Sequence, residues 1–183
     1  MLVAKKLYTF QEFEAFISLP ENSERLLELI NGEIVEKVPT QEHGIITLNI
    51  GTDFKIYSRQ NKFGRVAVEV LHRNPDDNYN GRQPDLSFYV DVTEPVSKKG
   101  AVPRMPDLAV EVQSPSDSVK KLHEKADYLI ANGTRMVWLI YPAKQLIEVV
   151  TPDDVEFYTM GDTISGEPVL PGFAMKVRDV FEG

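Results

Sequence analysis

The sequence predicts a mixed α/β (α+β) fold whose core runs helix, three strands, helix, strand, with a β-hairpin ahead of it and a hairpin extension behind it. Three observations carry this expectation. Ile46, Ile50, Phe54 and Tyr57 recur at helical spacing, as do Val119, Leu122, Ala126, Leu129 and Ile130. Three short β-prone runs lie between these two helical stretches. Met136-Val-Trp-Leu-Ile-Tyr141 is almost wholly apolar at strand length, which marks a strand buried on both faces.

Each element has its own local signal. Thr9 to Ser18 predicts a first helix, capped by Thr9, with Glu12 at the capping-box position and Phe13, Phe16 and Ile17 on one face. Pro20, Asn22 and Ser23 mark a loop. Asn31-Gly32 between Arg25–Ile30 and Glu33–Val38 is a strong two-residue hairpin signal. The helix from His43 to about Gln60 ends at Asn61-Lys-Phe-Gly64. Strands are expected at Arg65–Leu71, Pro84–Val90 and Asp107–Gln113, separated by polar turns and by a longer loop from Asp91 to Arg104. Ser116 or Ser118 caps the second long helix, and Asn132-Gly133 ends it. A hairpin joins Leu146–Val150 to Glu156–Thr159, and the tail through Phe181 reads as a packing extension.

The 183 residues suffice for one well-buried core, so a single domain is expected over 1–183. Its parts are a helix and hairpin at about 9–38, a core at about 43–142 and an extension at about 143–183. Hydrophobic residues make up 42% and charged residues 26%, an ordinary globular balance. There are no cysteines, which excludes disulfides, thiol nucleophiles and thiolate metal sites. No stretch approaches the roughly 20 apolar residues of a membrane span, and the N-terminus lacks the apolar run of a signal peptide. A cytoplasmic location is expected. The formal net charge is -8, so any nucleic-acid chemistry must concentrate positive charge locally or take it from metal ions.

The chemistry centres on Asp107-Leu-Ala-Val-Glu-Val-Gln113. Alternation sends Leu108, Val110 and Val112 to one face and Asp107, Ala109, Glu111 and Gln113 to the other. Glu111 and Gln113 therefore stand side by side. A carboxylate inside an apolar strand is costly to bury without a cation, a strong donor or water. Asp85 opens the preceding strand and comes near Glu111 if the two strands pair. Two converging carboxylates suit Mg²⁺ or Mn²⁺. Lys125, between Leu122 and Leu129 on the following helix, borders the sheet-facing side and could reach them. His43, at a helix start, could line the same cleft, contact phosphate or act as an acid or base. Asp107 lies about 13 Å from Glu111 along an extended strand and suits a turn or cap. Lys98, Lys99 and Arg104, with Arg82, could form a basic rim. For each of these there is a plainer alternative: a turn aspartate, a buried ion pair, an edge amide, a snorkelling lysine, solvated loop charges.

The succession Glu28-Leu-x-x-Gly-Glu33, His43, Pro84-Asp85, Pro106-Asp107-Leu-x-x-Glu111-Val-x-Ser114-Pro115, Lys125, Trp138-Leu-x-x-Pro142 and Leu170-Pro-Gly-Phe173 resembles the Uma2 family of restriction-endonuclease-like proteins. The resemblance spans roughly Tyr8 to Phe181 and rests on order and spacing rather than on any one motif. That family is similar to the PD-(D/E)XK nuclease superfamily, which implies a restriction-endonuclease-like core. It also implies that Asp85 and Glu111 hold metal and that Glu28 is an accessory acidic residue. Gln113 stands where the superfamily usually has lysine, and Lys125 matches relatives whose lysine has moved to the adjacent helix.

The expected function is a Mg²⁺- or Mn²⁺-dependent endonuclease hydrolysing DNA phosphodiester bonds, with Asp85, Glu111, Gln113 and Lys125 catalytic and Glu28 and His43 accessory. A homodimer would supply the two sites that duplex cleavage needs. Two alternatives stand beside it: a catalytically inactive nuclease-fold interaction module, and a metal-dependent hydrolase of a small phosphorylated molecule.

Overall fold

The computed structural model describes residues 6–115 and 117–182. Helix α1 (Phe10–Ile17) starts with the full capping box: Glu12 N–H donates to Thr9 Oγ1 at 3.3 Å, and Thr9 N–H donates to the Glu12 carboxylate at 2.9 Å. It buries Phe10 and Phe13 against Leu27 and Leu29 of strand β1 (Leu26–Ile30). Strand β2 (Glu33–Lys37) returns antiparallel through Asn31 and Gly32, whose φ of 50° and 82° are the two positive values that a type I′ turn requires. Leu27 and Leu29 face α1, so alternation turns Glu28 to the other face. Glu28 pairs in register with Val35, and Lys37 lies two residues further along β2, on the side of the ribbon that Glu28 occupies.

The central sheet has six strands in sequential order: β3 (Arg65–Val68), β4 (Leu86–Tyr89), β5 (Leu108–Val112), β6 (Met136–Tyr141), β7 (Leu146–Val150) and β8 (Val155–Thr159). Only β5 and β6 run parallel, and the connection between them is helix α3 (Val119–Ala131). Alternation gives the sheet two apolar faces, and both are covered. Leu108, Val110, Val112, Trp138 and Ile140 pack under Ile46, Ile50, Phe54 and Tyr57 of helix α2 (Gln41–Asn61). The hairpin of β9 (Thr163–Ser165) and β10 (Ala174–Lys176) and the short helix α4 (Val177–Phe181) complete that layer, which gives the C-terminal extension its packing role. On the opposite face Ala109, Val137, Leu139 and Tyr141 pack under Leu122, Ala126 and Leu129 of α3. Fully burying a leucine in this way stabilises by about 2 kcal/mol.

Several boundaries differ from the sequence expectation. The strand expected over Arg65–Leu71 stops at Val68, because Glu69 takes a left-handed φ of 51° and turns the chain. The second long helix begins at Val119, capped by Ser118 as one of the two expected caps, its side chain accepting from Lys121 N–H; the alternative cap, Ser116, lies outside the described residues. Strand β8 begins at Val155. Gly64, which joins α2 to β3 at φ +65°, is required sterically: a Cβ there would stand 2.2 Å from Phe88 Cε1. Among the described residues no helix is long and apolar enough to cross a membrane.

Candidate active site

Strand register assembles the floor of the site. Leu86 pairs with Val110 and Ser87 with Ala109, and Asp85 N–H donates to Val110 O at 3.1 Å. Antiparallel alternation therefore brings Asp85 and Glu111 onto the α3 side of the sheet, next to each other on adjacent strands. Val112 N–H donates to Asp85 Oδ2 at 2.7 Å, and His43 Nε2 lies 3.0 Å from the same oxygen. Asp85 and Glu111 are only 2% and 4% exposed. Burial of this depth makes their partners decisive.

Two lysines supply the partners. Lys125 reaches from α3 to within 2.7 Å of Glu111 Oε1 and 2.8 Å of Glu28 Oε1, and it donates to Gln83 O at 3.1 Å. Lys37 reaches from the N-terminal hairpin, donates to Asp85 Oδ1 and lies 3.7 Å from Glu111 Oε2. Glu28 also accepts from Gln83 N–H at 2.5 Å, which ties the hairpin to the segment leading into Asp85.

The electrostatics follow from three carboxylates sharing two ammonium groups. Burial pushes the Glu111 carboxyl up, to about 7, and the charges of Asp85 and Glu28 add to that, while Lys125 and Lys37 oppose it. Burial also works against ionised Asp85, yet Lys37, the His43 hydrogen bond and Lys125 hold its carboxyl well below the usual range. Glu28 is held below its ordinary value, against burial, by Lys125 and Lys37. Burial alone would favour neutral Lys37, but Glu111, Asp85 and Glu28 raise its ammonium above the ordinary value. Glu111 is thus the member of the cluster that holds a proton most readily.

Glu28, Lys37, Glu111 and Lys125 of this cluster line a cleft of about 600 Å³ between the β1–β2 hairpin and α3, together with Arg82 and Lys121 among others. Of the residues singled out from sequence, Asp85, Glu111, Lys125, Glu28 and His43 come together in the cluster, but Asp85 does not line the cleft and His43 lines a separate pocket along α2. Gln113 does not join them: its side-chain amide donates to Asp117 O at 2.9 Å, in the turn that opens α3. Asp107 takes the expected turn role, accepting from Val90 N–H at 2.8 Å. The basic rim is not assembled as expected. Arg82 lines the cleft, but Arg104 is ion-paired with Glu94 at 2.7 Å beside a separate pocket lined by Arg65 and Tyr89.

Sequence reasoning missed Lys37. The signal was available: a two-residue Asn31-Gly32 turn sets Glu28 opposite Val35, which puts Lys37 on the face of Glu28. It also missed the individual place of Arg82 in the cleft wall.

The sequence matches the model of the Uma2 family, described as "Putative restriction endonuclease", over residues 10–178. No curated protein matches it. Among solved structures, the fold is similar to that of "a putative nuclease belonging to DUF820 from Anabaena variabilis", with a TM-score of 0.76 and 22% identity, covering 91% of this chain and 94% of that one. A cryo-EM structure of a DrdV–DNA complex also matches, at 15% identity and a TM-score of 0.38, over 70% of this chain and 11% of that one.

Proposed function

Because the chain belongs to the Uma2 family, we propose that it is a divalent-metal-dependent endonuclease that hydrolyses DNA phosphodiester bonds at Asp85 and Glu111. The observation that carries this reading is the juxtaposition of those two carboxylates on adjacent strands, with the Lys125 ammonium 2.7 Å from Glu111.

The donor set fits Mg²⁺ or Mn²⁺. Asp85 and Glu111 offer hard oxygens from adjacent strands. Among the described residues no group of three or more acidic or histidine side chains forms a metal cage by itself. An ion held by Asp85 and Glu111 would keep several waters and take oxygens from its substrate. Asp85 and Glu111 would hold the ion; when bound, it supplies a nucleophilic water at neutral pH and charge neutralisation on the phosphate.

The chain's own groups have distinct tasks. His43 and Val112 N–H orient Asp85 through the same oxygen. Lys125 keeps Glu28 charged and holds both Glu28 and Glu111 in place. Lys37, the most solvent-accessible member of the cluster at 20%, is positioned to meet a phosphate oxygen as negative charge develops. In hydrolysis a water oxygen bonds to phosphorus, the bond to the leaving oxygen breaks, and that oxygen takes up a proton. Gln113 acts on the site through the Asp117 turn rather than by direct contact.

The test is cleavage of linear, supercoiled and single-stranded DNA with Mg²⁺ or Mn²⁺. Metal-dependent cleavage that disappears in Asp85→Ala and Glu111→Ala supports the reading; no cleavage of any DNA form overturns it. A second reading has one observation in its favour. Lys37 and Lys125 already pair with all three carboxylates, as they would in a nuclease-fold interaction module that needs no ion.

A further inference from the structure

Arg82 is a buried cation that forms no ion pair among the described residues and has no task in the proposed chemistry. It lies three residues before Asp85, in a segment pinned by reciprocal backbone hydrogen bonds with His72 of 2.8 and 2.9 Å. Arg82 is 5% exposed, and its side chain lines the cleft that holds Glu111 and Lys125. The guanidinium carbon stands 4.7 Å from the ring centroid of Tyr128 on α3. Its Nε is buried and donates no hydrogen bond among the described residues.

The neighbouring carboxylates are committed elsewhere. Glu28 and Glu111 pair with Lys125. Asp77 accepts from Tyr128 Oη at 3.0 Å and from Asn80 Nδ2 at 2.9 Å through Oδ2, and from Tyr79 N–H at 2.8 Å through Oδ1. A guanidinium cannot shed its proton to relieve burial, so it requires an anion or water. The planar fork of a guanidinium carries its N–H donors in one plane. That geometry suits two oxygens of one phosphate. Lys121, Lys125 and Tyr128 occupy one stripe of α3 by their spacing of four and three, and Glu124 of the same helix also lines the cleft, paired with Lys120 at 3.5 Å.

We propose that Arg82 anchors a second phosphate subsite in this cleft, binding the phosphodiester next to the scissile one on the substrate strand. The identity of the anion as a nucleic-acid phosphate rests on the nuclease reading. Arg82 is then a binding residue, and it selects for substrates that carry a phosphate on each side of a nucleoside.

The test uses the full chain without metal, so it is independent of cleavage. Titration with inorganic phosphate and with the 5′-phosphorylated dinucleotide pdTdT is followed at the arginine Nε–Hε resonances, with Arg82 assigned by comparison with Arg82→Lys. The expected result is a saturable shift of the Arg82 resonance with both ligands and none with acetate at equal ionic strength. Calorimetry of pdTdT binding should show a loss of about tenfold in Arg82→Lys, which keeps the charge but not the fork. An unmoved resonance, an equal shift with acetate, or unchanged affinity in Arg82→Lys overturns the subsite. A shifted Arg82 in a protein that cleaves no DNA would sink the nuclease reading alone; DNA cleavage with an unmoved Arg82 would sink the subsite alone.

Discussion

Lys37 and Asp85, 48 residues apart in the chain, form an ion pair at the floor of the cleft, and the same ammonium lies 3.7 Å from Glu111. One lysine from the N-terminal hairpin therefore stands between the two carboxylates assigned to metal. An entering divalent ion must compete with it. Replacing Lys37 by Met should tighten Mn²⁺ binding by about tenfold, since a competing cation is removed, as measured by calorimetry. Unchanged or weaker binding would count against this competition.

Asp85 and Gln113 should separate sharply in activity. Asp85→Ala should lower DNA cleavage on the order of 100-fold or more, as expected for loss of a group that places charge at the reacting centre. Gln113→Ala should cost only a few-fold, roughly the effect of losing one net hydrogen bond, because its amide serves the Asp117 turn. Rates measured at saturating metal decide between them; an equal collapse in both variants would restore Gln113 to direct chemistry.

Lys125→Met should destabilise the fold by about 3–5 kcal/mol, because it strands the buried Glu28 and Glu111 without their shared cation. Adding Glu28→Gln should recover part of that loss by removing one stranded charge. Chemical denaturation of the wild type, the two single variants and the double variant measures the coupling. Additive losses would mean that Lys125 and Glu28 do not act as a pair.

His72 should make the fold acid-sensitive. It is fully buried, with Nδ1 2.8 Å from Arg104 O, so Nδ1 donates and Nε2 is left to accept from Ser87 Oγ or Tyr89 Oη. Burial pushes its pKa down to about 4, Arg104 and Lys125 adding to that against the hydrogen bond to the Arg104 carbonyl. The folded state thus binds fewer protons than the unfolded state between about 4 and 6.5. The stability tied to neutral His72 is present above pH 6.5 and is lost as pH falls through that window, on the order of 3 kcal/mol in all. Urea denaturation against pH should show this slope in the wild type and a flatter one in His72→Gln; equal slopes would remove His72 from the account.

Much of this was legible in the sequence because the decisive signals are local. Thr9 and Glu12 announce α1, Asn31-Gly32 sets the hairpin, and alternation along 107–113 separates Val110 and Val112 from Glu111. Asp85 was placed beside Glu111 by pairing alone. The remainder depends on how separate elements dock. Lys37 enters the site only because the hairpin lies against α3. Arg82 meets Tyr128 only because the segment before Asp85 packs against α3. Gln113 has the parity of Glu111, but parity does not say that the turn at Asp117 will take its amide first.

The central claim is that Asp85 and Glu111 share a divalent ion, and a crystal structure of the protein equilibrated with Mn²⁺ tests it most directly through the anomalous signal of manganese. The account predicts one peak within coordination distance of both carboxylates, with the Lys37 ammonium withdrawn from Asp85. At saturating Mn²⁺, carboxylates still paired with Lys37 and no peak between them would contradict it.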